Sequence, residues 1–132
     1  MTALDPSVLT ALTRADYVSL TTYRKDGTPV ATPVWGVVDD GRLYVWTEAG
    51  SWKVKRLRRD PRVTVVPCDV RGRIAPDAPE ATGTGRLLDA EGTEKVRRLM
   101  GRKYLMFRLG DTWSNLTGRR RRHPIATVEI SF

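Results

Sequence analysis

The sequence predicts a mainly β protein, an antiparallel barrel of six short strands with helices attached. Three features carry that expectation. Six segments are rich in β-branched and aromatic residues, which suit a pleated, half-buried surface. Most consecutive segments are linked by turns too short for the crossover that a parallel pair requires. Helical patterning is confined to a short opening stretch, one basic segment midway and one segment late in the chain.

Asp5-Pro6 reads as a cap followed by proline at the first helical position, and Val8, Leu9 and Leu12 give an apolar face, so a helix is expected from about Pro6 to Thr13. Tyr17 to Tyr23 is a strand, and Arg24 to Gly27 is a turn in which glycine supplies positive φ. Thr28 to Val38 resumes as strand, Asp39 to Gly41 turns again, and Arg42 to Thr47 completes a three-stranded meander. Pro29 and Pro33 cannot donate a ladder hydrogen bond, so the second strand is an edge, is bulged, or faces a ligand there. Gly36 marks a close approach to its backbone.

Ser51 is expected to cap a basic helix whose apolar stripe is Val54 and Leu57. Asp60-Pro61 ends it, because the residue before a proline is pushed out of the α region. Arg62 to Asp69 is a fourth strand stopping near Pro67, Val70 to Glu80 a loop, and Ala81 to Leu88 a fifth strand whose glycines imply a bulge or bend. Asp89 to about Met100 is the most strongly patterned helix, with an aspartate cap, acidic residues near its positive end, and Val96, Leu99 and Met100 on one face. Gly101 ends or kinks it. Arg102 to Leu116 has no clear period, Gly118 to Arg122 is a charged loop, and Ile125 to Phe132 alternates as the last strand.

A chain of 132 residues is expected to form one domain. No window approaches the roughly 18 apolar residues of a membrane span, and the first residues lack the basic-then-apolar pattern of a secretory signal. One cysteine, Cys68, excludes a disulfide framework and a multi-cysteine metal cage, so the cytoplasm is the expected address and the Asn115-Leu-Thr117 sequon carries no weight. The net charge of +8 favours an anionic partner, and nucleic acid, a phosphorylated cofactor and an acidic tail all satisfy it.

Protein-borne catalysis is poorly equipped. His123, the only histidine, has no partner nucleophile in a G-x-S-x-G setting and would be a solitary metal ligand. Cys68 reads as a small buried hydrophobe. Gly83-Thr-Gly85 lacks the third glycine and the following helix of a dinucleotide loop. A bound organic cofactor would therefore carry any reaction. The basic helix supplies two readings: a solvated charged face, or a phosphate seat formed by its N-terminus and Lys53.

The order of motifs resembles a known family. Asp26 to Trp35, Asp40 to Val45, Ser51-Trp-Lys53 and the Lys-x-x-x-Leu-x-x-Asp-Pro-x-Val run from Lys53 to Val63 are similar to the flavin-binding split barrels of the pyridoxamine-5′-phosphate-oxidase-like class. Within it they most resemble actinobacterial oxidoreductases that use the deazaflavin F420. The resemblance covers about residues 15 to 90 well. It implies a six-stranded antiparallel split β-barrel that pairs as a homodimer, with the cofactor in a groove at the interface. By resemblance, the ring rests on Thr32, Pro33, Val34, Trp35 and Gly36, and the phosphate is held by Thr47, Ser51 and Lys53 with help from Arg56. Val66, Pro67 and Cys68 would line the groove's other side.

The implied reaction is hydride transfer from C5 of reduced F420 to an activated double bond or imine, with water as one source of the proton. FMN in the same fold is the first alternative, and a non-catalytic barrel storing a cofactor or haem-like ligand is the second. Nucleic acid is disfavoured because aromatic residues do not interleave with the basic runs in the sequence. Metal and membrane are not expected. Trp35 and Trp52 are bulky for this family and would narrow the substrate space. Residues 102–122 have no alignable counterpart; in a dimer this segment, with Trp113 or Arg119 to Arg122, is one candidate to cap the partner's groove, and Trp113 reads equally as a core tryptophan.

Overall fold

The computed structural model describes residues 6–104 and 124–132. Nine elements follow one another: α1 (Pro6–Arg14), β1 (Tyr17–Tyr23), β2 (Pro29–Asp39), β3 (Arg42–Glu48), α2 (Trp52–Arg59), β4 (Arg62–Cys68), β5 (Ala81–Leu87), α3 (Ala90–Lys103) and β6 (Ile125–Ser131). All strand pairs are antiparallel, in the closed order β1-β2-β3-β6-β5-β4. The mainly β barrel expected from the sequence is the observed fold.

Strand alternation decides what fills the barrel. Val18 and Leu20, Val34, Leu43 and Val45, Val63 and Val65, Val128 and Ile130 all point inward and are buried. Leu12 of α1 and Leu57 of α2 join that core from the two helices. Burying an aliphatic side chain of this size contributes about 1.5–3 kcal/mol, so Val54 and Leu57, both buried, are enough to hold a helix whose remaining residues are polar or exposed. Outside the barrel, Val96 and Met100 of α3 pack with Tyr104 on Val37 and Tyr44, forming a second core beside Trp35 and Trp46.

Several expectations shift. The fourth strand runs through Pro67 to Cys68, with Pro67 opposite Val18. The fifth strand has an unbroken register and no bulge. Its glycines serve close approach instead, since a Cβ at Gly83 would stand 2.5 Å from the Ser131 carbonyl oxygen and one at Gly85 would press on Leu57, Val128 and Val63. The late helix neither ends nor breaks at Gly101 but continues to Lys103. Its expected cap is present, with the Asp89 carboxylate accepting the Gly92 N–H at 2.9 Å.

Candidate functional site

The proline-bearing strand is the place where the barrel opens. Pro29 to Trp35 pair with β1, but β2 meets β3 only from Trp35 to Asp39. Residues 29–34 therefore have no partner on the β3 side, and the strand is an edge over that half, without a bulge. β3 itself continues along β6 as far as Glu48. The two strands separate beyond the Trp35–Trp46 pair, and α2 begins just after the gap.

A pocket of about 330 Å³ lies in this split, lined by Pro33, Val34 and Trp35 on one side and Trp46, Thr47 and Glu48 on the other. Lys53 projects into it from the first turn of α2, with Tyr17 and Ile125 at the flanks. Burial lowers the Lys53 pKa, Arg56 pushes in the same direction, and Glu48 opposes them. Among the described residues this half-buried ammonium makes no hydrogen bond or ion pair. Lys53 thus faces the pocket with its charge unpaired by the described residues.

Ser51 occupies the N-cap position of α2 in extended conformation, yet its hydroxyl does not bond the helix. That departs from the expected cap. Its Oγ is buried and without a hydrogen-bond partner, and so is Thr32 Oγ1 on β2. Buried hydroxyls are ordinarily satisfied. Arg56, one turn beyond, is already engaged: its Nε donates to Thr22 Oγ1 at 2.7 Å.

The remaining expected residues divide. Gly36 turns its Cβ position toward Leu43 and Val18 at 3.0 and 3.2 Å, so the room it provides is taken by core. Val66 is buried on the outer face, opposite Ser19. Pro67 and Cys68 border a separate cavity, and burial, followed by Asp69, raises the Cys68 pKa. Thus Pro33, Val34, Trp35, Thr47 and Lys53 line one pocket, while Pro67 and Cys68 line a second, with Cys68 in register with Tyr17 of the first.

Sequence reasoning missed Tyr17, Trp46, Glu48 and Ile125. Trp46 was within reach, because the turn at Asp40 and Gly41 sets the register that faces it to Trp35. Also missed was the brace behind Trp35. Tyr104 stacks on that indole with centroids 5.3 Å apart. The Tyr104 hydroxyl lies 2.8 Å from the carbonyl oxygens of both Asp16 and Gly36. Burial pushes the Tyr104 pKa up to about 12, which keeps the phenol a donor. Lys103 adds bonds to the carbonyls of Ala15 and Gly36 at 2.6 and 2.9 Å. His123, Trp113, the sequon and Arg119 to Arg122 lie outside the described residues.

Comparison with known proteins identifies the family of this barrel. The model of the pyridoxamine 5′-phosphate oxidase family matches residues 4–124. The chain belongs to this family. Among solved members of the fold, a conserved hypothetical protein from Mycobacterium tuberculosis superposes with a TM-score of 0.72 at 21% identity, covering 99% of this chain and 81% of the other. A haem storage protein from Vibrio cholerae gives 0.68 at 13% identity, covering 98% and 90%. A FAD-binding protein from Mesorhizobium loti gives 0.61 at 20% identity, covering 96% and 88%. At these identities the likeness is one of fold. No curated protein matches the sequence. Among the described residues of this pyridoxamine-phosphate-oxidase-like split barrel, no three metal-ligating side chains cluster and no helix is long and apolar enough to cross a membrane.

Proposed function

We propose that the chain is an oxidoreductase working through a flavin-type cofactor, the deazaflavin F420 first and FMN second, whose phosphate sits on Lys53 and Ser51. The observation that carries this reading is the half-buried Lys53 ammonium, which faces the split pocket with no partner among the described residues; the buried, unbonded Ser51 hydroxyl two residues before it and the Thr32 hydroxyl next to Pro33 support it. Phosphate oxygens accept from an ammonium and from hydroxyls, and the start of α2 adds free backbone N–H groups and the positive end of a helix. The donor set therefore fits a phosphate. Pro33, Trp35 and Trp46 offer a flat apolar wall for a ring.

The chemistry such a group supplies when bound is transfer of a hydride to an activated double bond or imine, with a proton drawn from water. The residues' share is to bind and orient. Lys53 fixes the anionic end, and Trp35 and Trp46 give the ring an apolar face to rest on. At about 330 Å³ the pocket is at the small end of ligand sites, so this reading takes the active form to be a homodimer with the second protomer covering the rest of the groove. The free thiol of Cys68 suits a reducing, cytoplasmic setting.

Titration with F420 and with FMN, followed by fluorescence, tests the proposal. Micromolar F420 binding with FMN far weaker supports it, and the reverse ranking moves the protein to the FMN branch. Binding of either without turnover of any enone or quinone makes it a carrier rather than an enzyme. Binding of neither refutes the site.

A further inference from the structure

A second cavity, of about 600 Å³, opens on the far side of Tyr17. Tyr17 stands in register with Trp35 on β2 and Cys68 on β4, so the row Trp46, Trp35, Tyr17, Cys68 crosses the outside of the barrel from one cavity to the other. The turn from Asp69 to Arg73 forms the ridge between them. It lies against the first pocket's wall, since a Cβ on Gly72 would meet Pro33 Cδ at 3.5 Å. The two cavities are therefore neighbours along one groove.

The second cavity has its own chemistry. Ala11, Pro67, Ile74, Ala75, Ala78 and Pro79 make its lining mostly apolar, and its volume falls in the range of roughly 300–1,000 Å³ typical of organic ligand sites. Two of its three charges cancel: Arg73 Nε bonds Asp69 at 2.8 Å, and the same carboxylate accepts the backbone N–H groups of Arg71 and Arg73. The third, Asp77, has no hydrogen bond or ion pair among the described residues. A chain carrying +8 thus presents a lone carboxylate here, whereas the first pocket presents the unpaired Lys53 ammonium.

The geometry points to this cavity as the seat of the second reactant, an apolar ring-sized molecule that is neutral or cationic, with Asp77 rejecting carboxylates. Its role as reactant rests on the cofactor reading above; binding in the cavity does not. Like charges in one site repel and opposite charges attract. The division sorts an anionic cofactor to one cavity and its uncharged or cationic co-reactant to the next.

The test titrates cofactor-free protein with 1-naphthylmethanol, 1-naphthylmethylamine and 1-naphthoate, three probes of one size and differing charge, by naphthalene fluorescence. The amine and alcohol should bind and the naphthoate should be weaker by about tenfold, which is about 1.4 kcal/mol. Asp77→Asn should level the three, and Asp77→Lys, a change at an exposed position, should invert the order. Ala78→Trp should abolish binding by filling the cavity, with the melting curve reporting that the barrel remains folded. Lys53→Ala should leave all three probes unchanged while weakening FMN, so a failed cofactor reading and a failed second cavity give different results. Equal affinities insensitive to residue 77, loss of the probes on Lys53→Ala, or no binding of any probe overturns the inference.

Discussion

Lys53 and Lys103 are both half-buried, and in both burial lowers the pKa. Their surroundings differ. Lys103 lies within hydrogen-bond distance of two backbone carbonyls, so its desolvation is offset inside the fold. Lys53 has no such partner among the described residues and faces a pocket beside an unsatisfied hydroxyl. The same cost of burial is thus met inside the fold in one place and left facing a pocket in the other. What distinguishes them is whether the molecule already contains the acceptor.

The largest expected effect that would break this comparison is on Lys103. Lys103→Met should destabilise the protein by about 3 kcal/mol, because two carbonyls lose a charged donor, and urea unfolding measures it. A loss no larger than that of Lys53→Met would end the distinction. Next, Lys53→Ala should weaken FMN or F420 by roughly 10- to 100-fold, a charge-assisted phosphate contact being worth about 1.5–3 kcal/mol, without lowering the ligand-free melting temperature. Tyr104→Phe keeps the stack on Trp35 and loses the hydroxyl; about 1 kcal/mol of stability should go with it.

The smallest effect is a pH dependence. The folded-state pKa of Lys53 is depressed below 10.5 while the unfolded value is not, so between the two the unfolded chain binds more protons and stability rises with pH. Phosphate affinity runs the other way, falling as the ammonium deprotonates. Lys53→Met should remove the binding trend and reduce the stability trend to the part that Lys103 contributes, and parallel melting and binding curves from pH 7 to 10.5 would show it.

How much of this was legible in the sequence follows from how local each feature is. The strands, the turn glycine at residue 27 and the basic helix with its Asp60-Pro61 stop depend on neighbouring residues, and they formed within a residue or two of the expected bounds. Lys53 could be picked out because it belongs to a helix start. Its partnerless state could not, since that depends on where β2 and β3 part. The continuation of α3 through Gly101 is a tertiary effect: buried Met100 and Tyr104 flank the glycine and hold the turn that propensity alone would release. Ser51 shows the converse, a residue with the right local chemistry for a cap whose hydroxyl is left unused. That the Cβ side of Gly36 faces the core was not legible either, because a missing side chain reads alike whether a ligand or a core leucine fills the space.

One consequence of the parted strands concerns the protein's neighbours in a crowded solution. Among the described residues, 29–34 of β2 pair with β1 alone and leave a row of backbone groups open toward the gap. Such a row is a template on which a foreign strand can add, the first step toward aggregation. Pro29 and Pro33 stand in that stretch and withhold two of the donors an incoming strand would need. The two prolines thus guard the parted edge against other chains, and replacing both with valine would be expected to cost solubility before it cost fold.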